Sequence, residues 1–240
     1  MRIDKLLANM GYGTRKEVKT MLKGGSVRVN GNVEKNGKTH VDPENDQITL
    51  LGEVIEYREY IYLMMNKPGD LVSATEDAND MTVVDILQPE DQVFKPFPVG
   101  RLDKDTEGLL LITNDGKLSH QLTSPKKDVG KTYFARIDGK VEEEDIARFS
   151  EGVELDDGYV TRPASLTILS SDTISEIELT ITEGKFHQVK RMFESVDKKV
   201  TYLKRIKMGE LELDSSLELG EYRELQDEEL KYLFSITNSG

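Results

Sequence analysis

Hydrophobic and polar residues near the N-terminus follow the spacings of two short helices and one strand. Residues 3–9 carry apolar side chains at helical spacing, and two glycines just after them end the first helix. A capping-box sequence, Thr14 with Glu17 three residues later, begins a second helix that continues to Leu22. Residues 26–30 then alternate apolar and polar side chains before an Asn-Gly turn. The pattern predicts a small helix-helix-strand module.

Beyond residues 51–59, which are charged and which we interpret as a linker, the pattern changes to a longer mixture of strands and helices. Apolar or alternating segments predict strands, and amphipathic segments predict helices. The predicted strands lie in 60–66, 109–112, 131–137, 177–181 and 203–209, and the predicted helices in 118–122, 142–150, the segment from 188 onward and an acidic segment near the C-terminus. This mixture is compatible with an α+β fold but does not by itself select one.

One segment, residues 100–116, places charges where a core segment would be apolar. A charged loop leads into the apolar strand 109–112, and Asn-Asp-Gly at its end predicts a hairpin turn. Asp103 lies in this loop between Arg101 and Lys104. Nearby positive charge keeps a carboxylate ionised, as a nucleophile or an acid/base requires. From these local features alone, a solvated loop with surface ion pairs is the favoured interpretation.

Charge is distributed unevenly along the chain. The formal net charge is -13, which disfavours nucleic acid, because phosphates attract lysine and arginine. Residues 1–41, however, contain nine Lys and Arg against three acidic residues. A basic N-terminal module is therefore joined to an acidic body, and RNA could bind through the local basic surface.

Composition excludes several classes of site. The chain has no cysteine, so it has neither disulfides nor zinc-thiolate sites. Its three histidines, His40, His120 and His187, are scattered, and we predict no metal. No signal region and no apolar run of about 18 residues is present. We therefore expect a cytoplasmic protein without membrane contact.

Several motifs resemble those of the pseudouridine synthases that modify ribosomal RNA. The sequence G-R-L-D-K-D-T-E-G-L-L-L at 100–111 is similar to their signature loop, and N-K-P-G at 66–69, K-T-Y at 131–133 and G-K-F-H-Q-V-K-R-M at 184–192 are similar to three further motifs. The ending G-E-Y-R-E-L at 220–225 resembles that of the same subfamily. The four motifs occur in the family's order along nearly the whole chain.

The resemblance implies roles for particular residues. It makes Asp103 the catalytic residue, Tyr133 the residue that stacks on the target base, and Lys190 the cation that pairs with Asp103. For substrate binding, the resemblance and the local charge suggest Arg101, Lys185, His187, Gln188, Arg191 and Leu203. Lys185 and Arg191 would hold phosphates, and Arg101 would enter the RNA stack. Lys67 is either a turn residue or lies near the RNA backbone.

The N-terminal module is similar to an S4 RNA-binding domain, in which the second helix and the following loop present cations to structured RNA. Carried onto this chain, the RNA-binding candidates are Arg2, Lys5, Arg15, Lys16, Lys19, Lys23 and Arg28. For any single lysine, a solvated helix face is an equally good interpretation.

The implied architecture is α+β: a small S4-like domain with its linker over 1–58, a catalytic domain with a largely antiparallel mixed sheet over 59–234, and a tail over 235–240. The implied reaction is isomerisation of uridine to pseudouridine in ribosomal RNA, without a cofactor. Within the family, the chain is most similar to the enzymes that act on 16S rRNA at uridine 516. The expected enzyme is a monomer that acts on naked 16S rRNA or on an assembling small-subunit particle.

Three alternatives remain open at this point. The chain could modify 23S rRNA, because related enzymes share every catalytic motif. It could be a non-catalytic RNA-binding factor in ribosome assembly. A small-molecule enzyme is the third, against which the basic module and the lack of a phosphate-cradling glycine loop both count.

Overall fold

The computed structural model describes residues 1–238, which form two compact units. One unit comprises Met1–Ile61 together with Leu87–Pro96, and the other begins with Tyr62–Ile86 and continues from Phe97. The segment Leu87–Pro96 thus groups with the N-terminal unit, although it lies within the range that the sequence assigns to the catalytic domain.

The first unit packs three helices with a small antiparallel sheet in the strand order β2-β1-β3-β4. Its elements are α1 (Ile3–Asn9), α2 (Arg15–Lys23), β1 (Val27–Val29), β2 (Asn32–Val33), β3 (Ile48–Leu50), β4 (Glu53–Val54) and α3 (Pro89–Gln92). The predicted capping box is present: the Thr14 backbone N–H donates to Glu17 Oε2 at 2.7 Å, and the Glu17 N–H donates to Thr14 Oγ1 at 3.3 Å. The apolar positions of both helices are buried in one core with Val27 and Ile48.

Residues 51–59 are not simply a linker. Strand β4 lies within them and pairs with β3, with Thr49 opposite Val54. Ile55 is buried in the same core. The strand is only two residues long, so a sequence pattern could not reveal it.

The second unit is built on a nine-stranded mixed sheet. Its path runs β13-β5-β7-β11-β8-β10-β9, with β6 added to β7 and β12 added to β11. Every pairing is antiparallel except that of β7 with β11, so the predicted α+β class with a largely antiparallel sheet is confirmed. The strands are β5 (Tyr62–Lys67), β6 (Phe97–Pro98), β7 (Glu107–Thr113), β8 (Lys131–Asp138), β9 (Ser165–Ser170), β10 (Ile174–Ile181), β11 (Lys199–Met208), β12 (Leu211–Glu212) and β13 (Tyr222–Glu224).

The helices of this unit are α4 (Gly116–Thr123), α5 (Glu143–Glu151), α6 (Gln188–Glu194) and α7 (Asp227–Asn238), with a short 3₁₀ turn at Pro125–Lys127. The hairpin predicted at residues 114–116 is wrong. Asp115 is instead the N-cap of α4, and its Oδ1 accepts the N–H groups of Lys117 and Leu118, each at 3.0 Å. An Asp-Gly pair is common both in hairpin turns and at helix N-termini. Here the apolar residues of α4 pack against the sheet and stabilise the helix.

Gly108 allows β7 and β11 to meet beside the loop that carries Asp103. Its φ is +102°, and a Cβ at this position would lie 2.2 Å from the carbonyl oxygen of Arg205 on β11. Any side chain would therefore separate the two strands. The sheet thus fixes the end of the loop that carries Asp103 at a point where only glycine fits.

Helix α7 extends through residues that the sequence assigns to a tail. The tail prediction for 235–240 is wrong for 235–238, which are helical, and 239–240 lie outside the described residues. Arg223 on β13 anchors the helix by donating to both oxygens of Glu229, each at 2.8 Å, and it also donates to Asp214 at 2.6 Å. Hydrogen bonds from Ser216 and Arg223 lower the pKa of Asp214 to about 2, and the bond from Arg223 lowers the pKa of Glu229.

Replacing Arg223 by methionine is expected to destabilise the fold in a pH-dependent way. Carboxyl groups whose pKa is lowered in the folded state stabilise it above their unfolded pKa values, near pH 4, and this contribution is lost as the pH falls toward 2. The Arg223–Glu229 pair, which is mostly shielded, contributes about 1 kcal/mol. Urea unfolding should therefore show the largest difference between wild type and Arg223→Met above pH 5, and little difference near pH 2.

The matched control is Arg148→Met, which removes an exposed helical ion pair with Glu144. This variant should change the unfolding midpoint little at any pH. A constant difference between Arg223→Met and wild type from pH 7 to pH 2 would contradict the ion-pair explanation.

Candidate active site

The loop that carries Asp103 is held from beneath by a buried lysine. Lys67, at the end of β5, has 0% of its surface exposed. Its Nζ donates to the backbone carbonyls of Pro68 and Thr106 at 2.9 Å and to those of Asp103 and Lys104 at 3.2 Å. Lys67 is the last residue of β5 and not a turn residue, and its burial does not favour the predicted RNA-backbone contact. The lysine instead fixes the backbone on both sides of Asp103.

Burial lowers the pKa of Lys67 to about 8, although the nearby carboxylates of Asp105, Asp103, Glu107 and Asp70 oppose this shift. At neutral pH the ammonium form still predominates, and its three N–H groups are shared among the four carbonyls. A second contact holds the other side of the loop: the Leu102 N–H donates to Ser73 Oγ at 3.1 Å, and Ser73 Oγ donates to the Leu102 carbonyl at 3.0 Å. Because backbone atoms bear the restraint, the Asp103 carboxylate stays available.

The side chains of Lys190 and His187 face this carboxylate. Lys190 Nζ lies 3.4 Å from Asp103 Oδ2, and His187 Nε2 lies 3.6 Å from Asp103 Oδ1. The shorter contacts of Lys190, however, are hydrogen bonds to Asp105 at 2.7 and 2.9 Å. Lys190 is therefore shared between two carboxylates, with Asp105 as its hydrogen-bonding partner.

Asp105 was not identified from the sequence. Partial burial would raise its pKa, but the hydrogen bond and charge of Lys190 outweigh burial and lower the pKa. The Asp-x-Asp spacing of 103 and 105 was the available signal. A turn at 104–105, in which the Thr106 N–H donates to the Asp103 carbonyl at 3.0 Å, brings both carboxylates to Lys190. Asp105 holds Lys190 beside Asp103.

A narrow pocket opens beside Asp103. Strands β8 and β11 contribute Tyr133 and Leu203 to its wall, and both residues are buried. Tyr133 lies opposite Arg205 in the ladder and Leu203 opposite Ala135, which places Tyr133 and Leu203 on the same face of the sheet. The lining also contains Arg101, Leu102, Asp103, Thr106, Ile181, Gly184, Lys185, His187, Gln188 and Val189. Seven of the nine predicted site residues of this unit thus line one pocket, whereas Lys190 and Arg191 do not.

Gln188 shapes the turn that precedes α6. Its Oε1 accepts the Lys185 N–H at 2.9 Å, and its Nε2 donates to Glu183 Oε1 at 2.8 Å. Between these residues, His187 adopts the left-handed conformation, with φ +48° and ψ +33°. The amide of Gln188 therefore positions His187.

Arg191 and Lys185 differ in their availability to RNA. The Arg191 guanidinium contacts Asp156 at 2.6 Å and Asp157 at 2.7 Å, and these bonds raise the pKa of Arg191. This placement does not favour the predicted phosphate contact for Arg191. Lys185 is exposed, and its Nζ lies 4.3 Å from the centre of the Tyr159 ring.

In the N-terminal unit, the predicted RNA-binding residues lie mostly on α2. Arg15, Lys16, Lys19 and Lys23 are exposed there, whereas Val18 and Leu22 of the same helix are buried. Lys5 is exposed on α1. Arg2 is paired with the buried Asp4, and Arg28 donates to the Gly31 carbonyl at 3.0 Å. The available positive charge is therefore concentrated on one helix face.

Within residues 1–238, no group of three or more His, Asp and Glu side chains is arranged to hold a metal ion. No helix in the same range is long and apolar enough to cross a membrane.

Comparison with known proteins relates both units to described families. Residues 61–195 match the profile described as RNA pseudouridylate synthase, and residues 1–48 match the S4 domain. An uncharacterized RNA pseudouridine synthase, YtzG, from Bacillus subtilis (strain 168) is 55% identical over 97% of this chain and 98% of its own length. A ribosomal small subunit pseudouridine synthase A from Vibrio vulnificus (strain CMCP6) is 42% identical over 96% and 98% of the two chains. A crystal structure of a pseudouridylate synthase, 38% identical, superposes with a TM-score of 0.68 and covers 97% of this chain and 99% of its own.

Proposed function

The chain belongs to the RNA pseudouridylate synthase family and isomerises uridine in RNA, and we propose that its target is uridine 516 of 16S rRNA and that Asp103 is the catalytic residue. The substrate assignment rests on similarity over nearly the full length to relatives named ribosomal small subunit pseudouridine synthase A. The assignment of Asp103 rests on its position at the pocket, with Lys190 and His187 beside its carboxylate.

In this reaction the bond from N1 of uracil to C1′ breaks, the base turns, and C5 bonds to C1′. The proton on C5 is lost and N1 gains one, so no oxidant, reductant or outside group is required, and we expect no cofactor. Asp103 acts as nucleophile or general base. Its attack at C6 of the base and its attack at C1′ of the sugar are both compatible with this position.

The pocket receives a single nucleotide. Uracil stacked in RNA cannot present C5 and C1′ to a carboxylate, so the target must be extruded from the stack. The ring of Tyr133 then packs on the base, with Leu203 on the same wall. Lys190 keeps the Asp103 carboxylate ionised and oriented. Lys185 is exposed at the pocket and holds the phosphates of the extruded strand. Arg101, also exposed there, enters the RNA stack.

The S4-like unit supplies RNA affinity outside the pocket. Its α2 face presents four exposed cations in a chain whose net charge is -13. The acidic body repels non-specific RNA, whereas the basic helix attracts it. The partner we propose is 16S rRNA within an assembling small-subunit particle. We also propose that the enzyme acts as a monomer and that it acts in the cytoplasm.

The test of the target is base-resolved pseudouridine mapping of 16S and 23S rRNA, with the gene intact, deleted and restored. Loss of the signal at uridine 516 on deletion, and its return on restoration, is the expected result. A lost site in 23S rRNA would keep the reaction and overturn the target. An unchanged map would favour a role as a non-catalytic assembly factor.

A further inference from the structure

Phe186 is an exposed aromatic residue at the edge of the active-site pocket. It is 75% exposed, more than any other aromatic residue in the part of the chain that the structure describes. Its two neighbours in sequence, Lys185 and His187, both line the pocket that contains Asp103. Single exposed apolar residues are common on proteins, so exposure alone does not indicate a binding site, whereas a position beside the pocket does.

The ring of Phe186 stacks on the side chain of its neighbour His187. It lies on the His187 imidazole with ring centres 3.7 Å apart and planes 19° apart. The edge of the same imidazole approaches Asp103, with Nε2 3.6 Å from Oδ1. One face of the Phe186 ring is therefore covered by the imidazole, and the other face is open. The imidazole lies between the Phe186 ring and the Asp103 carboxylate.

The backbone is strained to achieve this arrangement. His187 adopts the left-handed conformation, which side chains other than glycine rarely do. Gln188 holds the turn through Lys185 and Glu183, and Arg191 Nη1 donates to the Phe186 carbonyl at 3.3 Å. Several contacts thus fix an orientation that leaves an aromatic ring in solvent, at a cost in free energy.

Charge near the ring identifies the kind of partner. The exposed cations Arg101 and Lys185 lie at the same pocket, although the body of the protein is acidic. An apolar protein segment would gain nothing from these cations. A nucleobase on a phosphate backbone fits both features, since every base offers a flat face for stacking and every phosphate a negative charge.

We propose that the open face of Phe186 stacks on the base next to the target uridine, which holds the neighbouring nucleotide while the uridine enters the pocket. The inference rests on the proposed uridine chemistry and adds a binding site for an adjacent unpaired base. Stacking does not select among bases strongly, so this contact would fix the position of the strand more than its sequence.

The test is a cycle of protein and RNA changes measured on whichever rRNA fragment the wild-type enzyme modifies. Phe186→Leu keeps an apolar side chain but removes the ring, and Phe186→Trp keeps a ring. On RNA that carries all of its bases, Phe186→Leu should lower kcat/KM about tenfold or more, whereas the kcat/KM of Phe186→Trp should stay near that of the wild type. The control Leu169→Ala removes an exposed apolar residue on β9, outside the pocket lining, and should have no effect.

The second arm uses RNA that lacks the base on one side or the other of the target. At one of these positions, removal of the base should lower the kcat/KM of the wild type about as much as Phe186→Leu lowers it on complete RNA. Removal of the same base should not lower the kcat/KM of Phe186→Leu any further. Full activity of Phe186→Leu, or losses that simply add at both positions, would overturn the proposal. The target assignment is read separately, from which RNA the wild type modifies, so either claim can fail alone.

Discussion

Asp103→Asn is expected to lower the rate of pseudouridine formation by about 10³-fold or more while leaving RNA affinity within a few-fold of wild type. The amide cannot act as a nucleophile or take a proton, and those two roles account for losses of this order. The side chain is similar in size, and Lys67 and Ser73 hold the loop through backbone groups of residues 102–106, so the pocket should keep its shape. Single-turnover rates and dissociation constants on one rRNA fragment provide the measurement.

The matched control is Asp105→Asn, because both carboxylates contact Lys190. Asp105 holds the stronger bonds, at 2.7 and 2.9 Å, compared with 3.4 Å for Asp103. If Asp105 only positions Lys190, its replacement should cost about tenfold or less and leave the reaction intact. The reverse order, with Asp105→Asn inactive and Asp103→Asn active, would show that Asp105, and not Asp103, is the catalytic residue. Two fully active variants would favour the non-catalytic binding factor.

Local features of the fold were readable from the sequence because they depend on residues close together in the chain. The capping box of α2 requires only Thr14 and Glu17, and the Asn-Gly turn joins β1 to β2 through two residues with positive φ. The Asp-Gly pair at 115–116 was misread as a hairpin because the same residues also begin helices. The apolar face of α4 resolved that choice through its packing on the sheet.

The active site was only partly predictable, for a related reason. Family resemblance brought together Asp103 and Lys190, which are 87 positions apart. Local chemistry alone favoured a surface loop residue at Asp103. The sheet sets the side-chain positions that let Lys190 bond to Asp105 as well as face Asp103. It also sets the position of Lys67, whose Nζ donates to the loop carbonyls. The ion pairs of Arg191 with Asp156 and Asp157 depend on a turn that lies 34 to 35 residues earlier in the chain. A sequence pattern carries none of these distances.

Lys67→Met should both destabilise the protein and slow the reaction. Methionine fills much of the same space but leaves the carbonyls of Pro68 and Thr106 without the Nζ donor. Those of Asp103 and Lys104 lose less, since they also accept the N–H groups of Thr106 and Asp70. Release of a buried ammonium, whose pKa burial lowers to about 8, offsets part of the cost. A net loss of about 2–3 kcal/mol in the free energy of unfolding is expected.

The rate should fall as well, by about 10²-fold, because a displacement near 1 Å of a catalytic group has an effect of this size. Lys131→Met provides the control: burial also lowers the pKa of Lys131, but its Nζ donates to a single carbonyl, that of Val129, at 3.3 Å. This variant should lose about 1 kcal/mol or less. Urea unfolding and single-turnover rates of both variants separate the two effects. If Lys67→Met were as stable and as fast as Lys131→Met, the loop would not need its lysine, and the position of Asp103 would have to be set by the sheet and Ser73 alone.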